Sequence, residues 1–171
     1  WKGVPRPYIA PVMGPGGVRM TRAYPMDEIE GEAHDHPHHT GLWWAHGDIN
    51  GLDLWHKGAR LVAQGPVFAS GPTILGLYAL ETDDGPTGIT VMETVSFEEL
   101  LNGDRAITFG VAVSAPADGP LVFGDTKEGT MAIRTHPALR LTPDAERVPV
   151  VTGRARNSEG VTGKDRWGKR A

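Results

Sequence analysis

GITVMETVSFEELLNGDRAITFGVAVS, residues 88–114, alternates apolar with small or polar residues on both sides of a single Asn-Gly. In its first half Ile89, Val91, Val95 and Phe97 share one face, against Thr90, Met92, Thr94 and Ser96 on the other. In its second half Ile107, Phe109, Val111 and Val113 oppose Ala106, Thr108, Gly110 and Ala112. A period of two is that of a half-buried strand. Asn102-Gly103-Asp104 supplies positive φ at low steric cost, which predicts that the two strands pair as an antiparallel hairpin.

The same reading extends outward. ARLVAQGPVFAS (59–70) and TILGLYALET (73–82) are expected as strands joined at Gly71-Pro72, and DDGPTG (83–88) as the turn into the hairpin. GTMAIRTH (129–136) is a shorter candidate. Helical periodicity is nearly absent, since its best stretch, SFEELL (96–101), is too short and directly follows a strand. The chain of 171 residues has 23 Gly and 14 Pro, which suits many turns and short strands. The prediction is all-β: one antiparallel β-sandwich or barrel domain over residues 1–171.

Composition narrows the function. A formal net charge of −4 leaves no basic footprint for nucleic acid. With no cysteine, the chain has no disulfide, thiolate metal site or cysteine nucleophile. No apolar run reaches the roughly 18 residues of a membrane helix. A soluble protein is expected, with the cytoplasm favoured and export left open. The chain begins at Trp1 without methionine and ends GKDRWGKRA. The expectation is therefore a fragment of a longer protein, with residues 152–171 a polar, basic loop leading to further strands. Composition assigns no oligomeric state.

The chemistry concentrates in HDHPHHTGLWWAHGDING, residues 34–51, which carries five of the seven histidines and two of the five tryptophans. Between Pro25 and Gly51 the chain is too rich in Pro, Gly, His and Asp for an interior strand, so an edge or loop is expected. In an extended conformation His36 and His38 project to one side and His39 to the other. His-x-His is a spacing that metal sites on β-sandwiches use, so His36, His38 and His46 are the ligand candidates for a divalent transition metal. No carboxylate follows at a recognisable spacing before Asp48, so no cofactor is favoured. The alternative is proton chemistry, with Trp43, Trp44 and Trp55 as flat faces on which a sugar ring stacks and a polar rim for its hydroxyls.

Two further places carry carboxylates. Glu93 falls in the middle of the apolar face of the first hairpin strand, where burial raises a carboxyl's pKa and makes a general acid. GDTKEGTMAIR (124–134) crowds Asp125, Lys127, Glu128 and Arg134 at a glycine-bounded turn.

The run YPMDEIEGEAHDHPHHTGLWWAHGDINGLDLW (24–55), with FGDTKEGTMAIR (123–134) and WGKRA (167–171), resembles a bacterial family labelled methane oxygenase or PmoA-like, whose function is uncharacterised. That family's hallmark reads Pro-Met-Asp-His-Pro-His-His-Arg-Gly-Leu-Trp, then Gly-Asp-Val-Asn-Gly and a Trp. The matching positions are Asp35 to Trp43, then Gly47 to Gly51 and Trp55. Thr40 stands where the hallmark has Arg, and Asp27–Ala33 reads as a short insertion ahead of the motif. The resemblance covers nearly the whole chain. It implies a mutarotase-like supersandwich or jelly-roll shape, and a setting among sugar oxidoreductases and isomerases. The label itself is a poor guide, since particulate methane oxygenase is membrane-embedded and nothing in this chain spans a bilayer.

Three functions are therefore expected, in order. The first is a carbohydrate-active enzyme of epimerase, lyase or hydrolase type, acting on a small-molecule or glycoside substrate. In it His36, His38 and His39 exchange protons with Glu93 or Glu128 as partner. Trp43, Trp44, His46, Asp48, Asn50, Trp55, Asp125, Lys127 and Arg134 surround the substrate. The second is a metal-dependent oxygenase or hydrolase. The third is a non-catalytic sugar-binding module.

Overall fold

The computed structural model describes residues 4–142 and 153–163. It is an antiparallel β-sandwich. Seven strands follow in order: β1 (Leu42–His46), β2 (Arg60–Ala63), β3 (Phe68–Ser70), β4 (Thr73–Thr82), β5 (Gly85–Glu99), β6 (Arg105–Ser114) and β7 (Gly129–Ile133). Two single-turn 3₁₀ segments, Pro15–Gly17 and Pro137–Leu139, are the helical elements among the described residues. None is long and apolar enough to cross a membrane.

The hairpin that decides the fold forms as its alternation requires. β5 pairs with β6 from Thr90↔Ser114 to Glu99↔Arg105. Its turn differs in detail from the simple Asn-Gly expectation. Gly103 alone takes positive φ, while the Asn102 amide oxygen accepts from the Asp104 amide at 3.0 Å and braces the turn. Ile89, Val91, Glu93 and Val95 are buried, as one face of a strand must be. Phe97 is the exception to the expected face, exposed where the strand runs past its cover.

β4 pairs with β5 on the other side, and both β2 and β3 pair with β4. Residues 59–70 therefore do not form one strand: they break at Gln64–Val67, around Gly65-Pro66, into two short edge segments. The turn expected over 83–88 shrinks to Asp83-Asp84, and Pro86 lies within β5 beside the register shift between Ala79 and Glu81. The candidate over 129–136 shortens to β7.

The second sheet has two strands among the described residues, so β1 lies at an edge, pairing with β7 from Leu42↔Ile133 to His46↔Gly129. An edge is what the sequence predicts for residues 25–51; its burial is not, since Trp43 through His46 are all covered. Leu-Trp-Trp-Ala is a continuous apolar run rather than an alternating one, the pattern of a strand covered on both faces. Trp43, Trp44 and Ala45 of β1 join Leu61, Tyr78, Leu80, Ile89 and Val91 of the larger sheet in one apolar core. Of the expected tail over 152–171, Gly153–Gly163 is described, with Arg156 bridged to Thr162. Residue 152 and residues 164–171, WGKRA among them, lie outside the described residues.

Candidate functional site

The histidine motif is not extended. The His39 amide donates to the His36 carbonyl at 2.9 Å, closing a turn with Pro37 at its second position, where its fixed φ fits. His36 itself has φ +46°, in the left-handed region that a non-glycine residue rarely adopts. The turn gathers three rings that an extended chain would divide between two sides. Ring centroids lie 4.8 Å apart for His36–His39, 4.4 Å for His38–His39 and 5.7 Å for His36–His38. A fourth imidazole, His56, arrives from the loop after β1, 5.2 Å from His38.

Two arginines hold this loop in place. Arg22 is buried, and its guanidinium donates to the carbonyls of Ala33, Asp35, His36 and His39 and to the Asp35 carboxylate. Arg6 is likewise buried, donating to the carbonyls of Leu54, Trp55 and His38 while its guanidinium lies 5.2 Å from the Trp43 ring centroid. Burial lowers Arg6 to about 10, partly offset by the charge of Asp53, so it stays charged at neutral pH. The buried Glu32 carboxylate accepts from the amides of Ala23 and Tyr24 and ties down the segment entering the motif. Backbone groups meet most of each charge, with the Asp35 carboxylate added for Arg22, while Arg6 Nε stays buried without a partner.

Carboxylates fix two of the rings. His36 Nδ1 lies 2.8 Å from Asp35 Oδ2, and His56 Nδ1 lies 3.0 Å from Asp53 Oδ2. An ionised carboxylate only accepts, so each ring donates from Nδ1, and in its neutral form Nε2 carries the lone pair. Burial pushes the Asp35 carboxyl up, but hydrogen bonds from Arg134 and His36 and the charges of Arg134 and Arg22 outweigh it and hold it well below the usual range. Asp53 is lowered similarly: burial acts upward, and hydrogen bonds from His56 and Trp55 overcome it. His36 and His56 are the outward members, their side chains 54% and 45% exposed.

The inner pair differs. Burial and the neighbouring positive groups lower His38, with the Glu128 charge acting upward against them. His39 falls to about 3, from burial first and then from His38, Arg134, His36 and Arg6. Both are neutral imidazoles near pH 7, and His38 Nε2 is buried with no hydrogen-bond partner.

Several residues expected at the site do not serve it as foreseen. Trp43, Trp44 and Trp55 are only 1%, 6% and 7% exposed, so they are core and backing for the cluster, not platforms for a sugar face. His39 packs against Trp43 at 5.3 Å and Trp55 at 5.9 Å from the inside. His46 is buried on β1, packed against Phe123, and its Nδ1 accepts from the Asp48 amide. Asn50 is a turn residue at φ +52° whose amide group bonds Pro120 and Val122, and Asp48 Oδ1 accepts from the Gly51 amide. These two side chains close loops instead of waiting for hydroxyls. Glu93 is buried on the face of the larger sheet, beside a cavity of about 110 Å³ lined by Tyr8, Ile74, Tyr78 and Phe109, with no histidine in its wall. Burial raises it to about 8, and its Oε1 is unpartnered. Of the two carboxylates expected as the histidines' partner, Glu128 acts on the cluster, through its charge on His38. Lys127, exposed, lies 3.4 Å from it, and Asp125 is exposed on the same turn. Arg134, next to β7, donates to Asp35 at 2.5 Å.

His56, Asp53, Arg6, Arg22 and Glu32 escaped the sequence reading. Asp53-x-x-His56 carried a usable signal, because an Asp that accepts from amides two and three residues on makes a turn that returns the third side chain to its carboxylate. Nothing in the sequence distinguishes Arg6 or Arg22 from surface arginines.

The three expected ligands, His36, His38 and His46, are not brought together among the described residues. Among the described residues no group of three or more His, Asp or Glu side chains is placed to hold an ion, and His46 makes no ring contact with His36 or His38. No curated protein and no solved structure matches this chain. A family model does, over residues 2–171: the chain belongs to DUF6807, a family of unknown function.

Proposed function

We propose that this chain is an acid–base enzyme that moves protons on a sugar ring, of epimerase, lyase or hydrolase type, at the cluster of His36, His38, His39 and His56. The observation that carries the reading is the pair of Asp–His couples whose rings both contact His38. In each couple the carboxylate accepts the Nδ1–H hydrogen bond and steadies the ring, so Nε2 accepts a proton from a substrate C–H or O–H. One couple removes the proton, and the other, once protonated, returns one. His38, neutral beside them, hydrogen-bonds a substrate oxygen, and Glu128 supports the positive charge that develops. The sugar class rests on the resemblance of residues 24–55 to the PmoA-like family and its sugar-pathway setting.

The test is proton exchange. Wild-type protein is incubated in D₂O with aldoses, ketoses, uronates and aryl glycosides, and followed by proton NMR. Deuterium incorporation, anomer interconversion or aglycone release is expected with at least one compound, slowed about 10²-fold or more in His36→Gln and in His56→Gln. No turnover in the wild type, or turnover in both variants equal to that of the wild type, overturns the reading.

A further inference from the structure

Beside the histidine cluster lies a broad cleft whose wall carries Arg134, Arg140, Arg154 and Arg156. Asp35 is the one carboxylate among its described lining residues, and its charge is already met by Arg22 and Arg134. Four arginines line one cleft in a chain whose formal net charge is −4, so positive charge is concentrated here against the average of the molecule. Arg134 and Arg140 are half-buried and Arg154 and Arg156 are exposed.

The backbone is shaped to bring these residues together. Gly153 lies so close to the carbonyls of Leu139 and Arg140 that a Cβ would collide with both oxygens. Only glycine allows that approach, and it places Arg154 next to Arg140. The cleft also joins the cluster directly, because Asp35 lines it and accepts from the His36 ring. A guanidinium fork matches carboxylate and phosphate oxygens in pairs, and four in one concavity suit an anion more than a neutral hydroxyl rim.

We propose that this arginine cleft binds an anionic group, carboxylate or phosphate, carried by the substrate of the histidine site, so that the substrate is an acidic sugar. The proposal rests on the acid–base reading for what the histidines do, but the cleft's preference for anions stands apart from catalysis and is tested by binding alone. The arginines anchor the charged end while His36 and His56 face the ring.

The experiment is calorimetric titration of the whole chain with glucuronate, glucose 6-phosphate and glucose. An affinity at least about tenfold higher for one or both charged sugars than for glucose is expected. An advantage for glucuronate alone identifies a carboxylate, and one for glucose 6-phosphate alone a phosphate. The advantage should shrink by about tenfold in Arg140→Gln/Arg154→Gln, and in the wild type it should weaken as salt rises from about 20 to about 200 mM. Glucose binding as tightly as both charged sugars overturns the proposal, as does an advantage indifferent to both salt and the arginine substitutions. Repeating the titration with His56→Gln separates the two readings: anion preference kept with proton exchange lost leaves both standing. Anion preference in a wild type without exchange removes only the acid–base reading.

Discussion

Glu93 keeps its proton to about pH 8 because it sits on the apolar face of β5, opposite Gly76 and beneath the Tyr78 ring. Gly76 has no Cβ, and the Tyr78 side chain occupies the space a Cβ would need. Burial, with the Glu93 charge adding to it, in turn holds the Tyr78 hydroxyl up to about 12. Proton linkage sets the sign of the effect on stability. The unfolded chain ionises Glu93 near 4.5 and the folded one near 8, so the folded state binds the extra proton between them and stability falls as pH rises through that window. His38 and His39 act oppositely, because their lowered folded pKa makes stability rise with pH, and that contribution is complete above their unfolded value of 6.5. Between pH 6.5 and 8 the Glu93 slope is therefore read without them. Urea unfolding should lose up to about 1.4 kcal/mol per pH unit there, and Glu93→Gln should remove most of that slope. Parallel slopes in the two proteins would place the Glu93 carboxyl in contact with water.

At the scale of elements, the histidine turn is held by side chain more than by strand. Arg22 donates to four carbonyls of residues 33–39, a fork of donors that a single ammonium cannot reproduce. In Arg22→Lys the opening free energy of this loop should fall by about 2 kcal/mol. Hydrogen exchange checks it: peptides covering residues 34–40 should exchange faster while those covering 89–97 in β5 keep wild-type rates. Uniform acceleration in both would mean that Arg22 holds up the whole fold and not this loop.

The same contrast explains what the sequence could tell. The β5–β6 hairpin was legible because alternation and a turn glycine are local signals, and the run of Leu42 to Ala45 carried a buried-strand signal that its histidine and glycine neighbours masked. That 34–51 would concentrate the histidines in one place was also legible, but their grouping depends on a turn at Pro37 that composition does not encode. Exposure is the least local property. The tryptophans read as a binding face and proved to be core, because whether a large aromatic is covered depends on residues far away, such as Arg6 and Tyr78.

At the scale of the molecule, Arg6 and Arg134 act together on the histidine cluster, and the neutral imidazoles of His38 and His39 sit within reach of that positive charge. His39 is held down by burial and then by His38, Arg134, His36 and Arg6, so anything that offsets those charges should let it take up a proton. An anion in the arginine cleft does so through Arg134, which borders both places. The complex then binds more protons than the free protein, and because His39 starts from about 3 the affinity gain should appear only as pH falls from about 6 towards 4.5. Glucuronate suits the measurement, since a sugar carboxyl titrates near about 3.5 and stays largely ionised in that range. Titrations at about pH 4.5 in buffers of different ionisation enthalpy should give a small positive proton uptake, on the order of 0.1 to 0.2 per site for a shift of about one pKa unit, reduced in His39→Gln. Binding with no uptake, or with release, would mean that the anion sits too far from the imidazoles to act on them, and that the cleft and the histidine cluster are neighbours without being one site.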